Sequence, residues 1–201
     1  MVESPIEGLP PIPFLSHNGT MSAGTLFTLG HGNRSMEEFV SLLTDQAIQT
    51  LVDVRAQPHS SRFPHFSTNA LRKTMEEIGI VYHWAGRQLG GRRAARPDSP
   101  HRSLDEGLRG YADYMETEHF QKNATQLVNL AASSRTAVLC AEKAPERCHR
   151  RLIADYLVLR GMEVIHLVAL DDARVHQLSP EARRESAQLI YDRHLTAELD
   201  L

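Results

Sequence analysis

Cysteine is nearly absent from this chain. Cys140 and Cys148 are its two thiols in 201 residues, and a protein of this length folds on its core without a disulfide framework, so both are expected to be reduced. Long apolar runs are missing as well, since no stretch approaches the ~20 residues that span a bilayer. The opening residues Met-Val-Glu-Ser-Pro-Ile-Glu put acids and a proline where a secretory signal carries a basic start and an unbroken apolar stretch. These absences predict a cytoplasmic protein with no membrane partner. Nor is there an excess of positive charge. The formal net charge of -3 argues against attachment to nucleic acid by a global field, while allowing a local basic groove. Lysine is scarce: 3 Lys stand beside 19 Arg. Arg is the side chain suited to a two-point grip on phosphate or carboxylate, although a GC-rich genome would produce the same skew.

What is present is ordinary for a globular protein, with 41% hydrophobic and 23% charged residues. Residues 1–23 hold Pro5, Pro10, Pro11 and Pro13 without periodicity and read as a flexible arm, leaving 24–201 as a single α/β domain. Apolar runs predict strands over 25–29, 50–54, 80–84, 136–141 and 163–168. Ser35 with Glu38 forms a capping box ahead of Met36, Phe39, Val40 and Leu43, and Ser67 caps a helix that turns Leu71, Met75 and Ile78 inward. Further helices are expected over 111–132, over 149–160 and from Ser179-Pro180 onward. Residues 86–110 are rich in Arg and Gly, show no periodicity and read as one long loop. Alternating strands and helices predict a mostly parallel sheet flanked by helices, with right-handed crossovers.

In such a sheet ligands bind beyond the carboxyl ends of the strands. The polar clusters fall there: Gly30-His31-Gly32-Asn33-Arg34, Asp53-Val54-Arg55, and Cys140-Ala141-Glu142-Lys143 leading to Arg147-Cys148-His149-Arg150. The glycines around His31 permit a sharp turn and a close approach to a ligand. Asp53 with Arg55 reads either as an internal ion pair or as a general base beside an anion-neutralising cation. Glu142 follows a buried strand and is expected to be part-desolvated with a raised pKa, unless Lys143, Arg147 or Arg150 pairs with it. Arg147 and Arg150 at a helix start oppose the helix dipole, which an anion between them would explain. Cys140 and Cys148 are too far apart in sequence for a common zinc knuckle, and small buried hydrophobes or a lowered thiol pKa at Cys148 fit them as well.

Taken jointly these blocks resemble the bacterial family catalogued as domain of unknown function 488. The resemblance runs over 25–168 and includes Leu89-Gly90-Gly91-Arg92 and Tyr111-Ala112-Asp113-Tyr114-Met115. It implies an α/β fold with a shared polar site and carries no settled activity.

The residues themselves point to an enzyme acting on a phosphate-bearing substrate, a nucleotide or nucleic-acid strand, by acid/base hydrolysis of a glycosidic or phosphoester bond. Glu142, Asp53 and His31 are the catalytic candidates, and Arg34, Arg55, Arg62, Arg92, Arg147, Arg150 and Tyr114 the substrate-binding ones. Two alternatives stay open, a non-catalytic module for anions or nucleic acid and a thiol or metal-binding protein. No motif names a cofactor, and no heptad or self-complementary pattern sets the oligomeric state.

Overall fold

The computed structural model describes residues 24–59 and 62–193. The arm expected over 1–23 lies outside them. The chain begins β1 (Thr25–Gly30), α1 (Met36–Asp45), β2 (Thr50–Asp53), α2 (Thr68–Glu77), β3 (Val81–Trp84). The short α3 (Gly86–Leu89), α4 (Glu106–Met115) and α5 (Glu118–Ser133) lead to β4 (Thr136–Cys140) and α6 (Arg150–Leu159). It ends with β5 (Glu163–Ala169), β6 (Asp172–Val175), β7 (Ala182–Glu185) and β8 (Gln188–Tyr191).

Six strands form one sheet in the order β3-β2-β4-β1-β5-β6, parallel except for β6 at its edge. The fold is therefore α/β with a mostly parallel sheet flanked by helices, as the alternation predicts. Right-handed crossovers send connections that run in opposite directions along a sheet to opposite faces. The packing agrees. On one face Phe39, Leu43, Leu71 and Met75 pack on Phe27, Leu29, Ala137 and Leu139. On the other Tyr111, Phe120, Leu152 and Ile153 pack on Leu26, Val138 and Cys140. Residues of β4 alternate between these cores, as the period of two requires. From β1 the chain moves toward β2, whereas from the adjacent β4 it moves toward β5. The two loops therefore part at their carboxyl ends and open a crevice there.

Local chemistry explains where elements begin. The Ser35 hydroxyl accepts from Glu38 N–H at 3.1 Å while the Glu38 carboxylate accepts from Ser35 N–H at 3.0 Å, the expected capping box. Ser67 does precede α2, but its hydroxyl makes no capping bond. The single helix expected over 111–132 is two. Asp105 caps α4 by accepting from Leu108 N–H, and Thr117 caps α5 by accepting from Phe120 N–H, so a second cap inside the apolar periodicity breaks the helix. The long loop is also more ordered than its composition predicts, since 86–89 is helical and Arg96 pairs with Asp113 and Glu116 of α4 and its cap.

The helix expected from Ser179 is instead the β7–β8 hairpin. Ser179 gives both its N–H and its hydroxyl to the buried Asp155 carboxylate, at 2.8 and 2.6 Å, so the capping chemistry is spent on α6. Tyr191 of β8 donates to the same carboxylate at 3.0 Å. From Asp155 a buried chain runs through His176 and His166 to Thr28 of β1, with contacts of 2.9, 2.9 and 2.6 Å. Burial, with His176 and Arg150 nearby, pulls the His166 pKa down to about 3. No helix among the described residues is long and apolar enough to cross a membrane.

Candidate functional site

The β1 and β4 ladder continues past the strand ends. His31 N–H donates to the Cys140 carbonyl at 3.0 Å and Gly32 N–H to that of Ala141 at 2.8 Å. The loop after β4 then crosses directly over Gly30, where a Cβ would lie 1.7 Å from the Glu142 carbonyl oxygen. Only glycine leaves that space. Gly32 completes the turn with φ of +54°.

His31 is thereby set against the crevice. Its ring stacks on Phe66 with centroids 4.6 Å apart, and its Nδ1 lies 2.9 Å from the Gly32 carbonyl. A carbonyl accepts only, so Nδ1 carries the proton and Nε2 keeps its lone pair. Burial, and then the Arg55 charge, lower the pKa of His31 below its ordinary value, which keeps the ring neutral and ready to accept a proton.

Asp53 and Arg55 share one side of the chain because side chains two apart on an extended strand do so. Arg55 Nε donates to Asp53 Oδ1 at 2.9 Å and Nη2 to Oδ2 at 2.6 Å. Arg55 N–H and the Tyr82 hydroxyl add contacts of 3.0 and 2.7 Å to the same carboxylate. Burial works against the Arg55 charge, but the carboxylate outweighs it and the pKa of Arg55 rises. Asp53 is fully buried behind Arg55 and does not reach the crevice wall, whereas Arg55 does. The internal-pair alternative describes its place.

The crevice encloses about 940 Å³. Arg55, Arg62, Arg92, Lys143 and Arg147 line it against the acids Asp105 and Glu142, so positive charge dominates a wall belonging to a chain whose net charge is negative. Glu142 is exposed, which corrects the expectation of a desolvated carboxylate: the chain leaves the sheet at Cys140 and Glu142 already lies on the surface of the loop. Its carboxylate has no hydrogen-bond or ion-pair partner among the described residues. Arg62 lies over the Phe63 ring at 5.4 Å, and Arg92 donates to Gln57 at 2.6 Å.

Three expected binding residues sit apart from this wall. Arg34 is buried and donates to the Gly30 and Val168 carbonyls. Arg150 is buried and donates to the Glu142 and Lys143 carbonyls at 3.0 and 3.3 Å, which secures the loop after β4 and accounts for an arginine at this helix start without a bound anion between it and Arg147. Tyr114 on α4 donates to the Gln88 carbonyl at 2.5 Å and joins α4 to α3.

The thiols come together in the same crevice. Cys148 Sγ donates to Cys140 Sγ at 2.9 Å, and His149 Nδ1 lies 3.7 Å from each sulfur. The hydrogen bond from Cys148, then His149 and Arg150, hold Cys140 well below the ordinary thiol pKa against the cost of burial, while the same contact and burial push Cys148 well above it. Two sulfurs on a tetrahedral zinc at ~2.3 Å stand about 3.8 Å apart. The two sulfurs stand closer than that, in direct contact with each other. His101, Asp113 and Glu116 also approach one another, with Arg96 already paired to the two carboxylates at 3.3 and 2.8 Å.

Fold and site together define an α/β protein with a cation-lined crevice where the strand order reverses, floored by a histidine and a thiol pair. The chain belongs to the family described as domain of unknown function DUF488, whose model matches residues 35–157. The matched segment includes Asp53, Arg55, Glu142, Cys148 and Arg150, and His31 and Arg34 precede it. Comparison with curated proteins and with solved structures found no match.

Proposed function

We propose that the protein is an enzyme acting on a phosphate-bearing substrate, a nucleotide or nucleic-acid strand, by acid/base hydrolysis of a glycosidic or phosphoester bond. The observation that carries this reading is Arg55, aligned by Asp53 at the wall of the crevice, beside a neutral His31 whose Nε2 can take a proton. A fixed guanidinium binds phosphate through two N–H groups without first being ordered. Arg62, Arg92, Lys143 and Arg147 add the charge that gathers an anion. A volume of about 940 Å³ lies in the range of small-molecule sites.

In this mechanism Arg55 holds the phosphate, His31 accepts a proton from the attacking water, and Glu142 is the second proton-handling group. Asp53 positions Arg55 and takes no proton itself. The test is a turnover screen of nucleoside phosphates and short DNA and RNA strands, read by release of phosphate and of free base. Product formation that falls about a hundredfold or more in His31→Asn, with the melting temperature retained, supports the reading. Ligands that raise the melting temperature with no product from any of them would make the crevice a recognition site and overturn it.

A further inference from the structure

Two buried sulfurs in contact are not needed to bind or hydrolyse a phosphate ester. Cys140 and Cys148 are 5% and 3% exposed, and both belong to the crevice wall. Cys140 is held rigidly, at the end of a strand paired on both sides, by β1 and β2. Cys148 sits where the loop after β4 enters α6, and Arg150 N–H lies 3.5 Å from its sulfur. The surroundings favour one negative charge shared by the pair. Arg150 is 1% exposed, forms no ion pair among the described residues, and leaves Nε and Nη1 without a partner. His149 turns Nδ1 toward both sulfurs and leaves its buried Nε2 unpartnered, as a ring that donates through Nδ1 to a thiolate would. A pair of inert core cysteines requires none of this.

We propose that Cys140 and Cys148 are a redox-active dithiol that reduces a hydroperoxide and closes to an intrachain disulfide in the wall of the crevice. The Cys140 thiolate attacks the terminal peroxide oxygen. The S–O bond forms as the O–O bond breaks, and the alkoxide, or hydroxide from hydrogen peroxide, leaves and takes a proton from water. The Cys148 thiol then attacks the sulfenic sulfur of Cys140. The S–S bond forms, and the departing hydroxide takes the Cys148 proton to leave as water. Two electrons from the two thiols have reduced one peroxide. An external thiol restores the pair by exchange. Closure requires the sulfurs to approach from 2.9 Å to ~2.05 Å, a displacement that the loop between them can absorb. This inference does not rest on the phosphate reading, because it concerns the sulfur pair alone.

The experiment uses the full chain, reduced, freed of reductant and exposed to about ten equivalents of hydrogen peroxide at neutral pH. The expected product is about 2 Da lighter, carries a Cys140–Cys148 link on peptide mapping, and returns to the reduced mass with dithiothreitol. Cys148→Ser should stop at a sulfenic acid on Cys140 that a dimedone probe captures, and Cys140→Ser should lose peroxide about tenfold more slowly than the parent. Iodoacetamide alkylation followed against pH gives an independent reading of the wild-type protein, with a midpoint below the ordinary thiol range expected. Two free thiols after treatment, with oxidation confined to methionine, would overturn the proposal. So would links found only between chains.

Discussion

The Asp53 carboxylate faces the Arg55 guanidinium in a two-point contact of 2.9 and 2.6 Å, with Asp53 fully buried and Arg55 5% exposed. Removing one member of a buried pair leaves the other charge without compensation, which costs about 3 kcal/mol or more. Asp53→Asn is expected to lose about that much stability by urea denaturation and to weaken phosphate binding, because Arg55 is no longer aligned. Adding Arg55→Met to that variant should recover part of the stability and none of the binding.

Arg62 and Arg147 are exposed on the crevice rim. Arg62→Gln and Arg147→Gln should each change stability by no more than about 0.5 kcal/mol. Affinity for a short nucleic-acid strand should fall severalfold in each, and the fall in affinity with added salt should become shallower, since binding without that cation releases fewer counterions from the strand. Calorimetric titrations at low and high salt check both effects.

His31 acts as a base only when neutral, and burial together with Arg55 lowers its pKa. The neutral form therefore persists to lower pH than for a free histidine. The acidic limb of kcat/KM is expected to have its midpoint below the ordinary histidine value of ~6.5. A midpoint at or above that value would assign the limb to another group.

His166 refuses a proton down to about pH 3, whereas in the unfolded chain it takes one near ~6.5. Below that pH the unfolded state binds the extra proton, so stability is full at neutral pH and is lost as pH falls. This group contributes a slope of up to about 1.4 kcal/mol per pH unit, ending near its folded pKa. Urea midpoints followed from pH 7 toward 4 should show it, and His166→Gln should flatten it whatever the variant's absolute stability.

How far the sequence reached is clearest at particular residues. Ser35 and Glu38 announce α1 because a capping box is chemistry between neighbours. Ser179-Pro180 carries a similar signal and misleads, because Asp155, distant in sequence, takes up the hydroxyl and N–H that would have capped a helix. Asp53 and Arg55 are recognisable as a pair from their spacing, but which of them faces the crevice depends on the depth of β2 in the sheet. Arg34, Arg150 and Tyr114 are polar residues in suggestive positions whose hydrogen bonds turn out to close loops and join helices.

The five parallel strands β1 to β5, the helices α1, α2 and α6 among them, and the polar clusters at strand ends were determined by the sequence itself, through local rules of periodicity, capping and turn chemistry that act over a few residues. The meeting of Cys140 with Cys148 at 2.9 Å, the crossing of the loop over Gly30 and the buried chain from Thr28 to Asp155 were decided only by the tertiary structure. Each depends on which strands lie side by side and how closely their backbones approach, and those distances follow from packing the whole sheet between its two layers of helices.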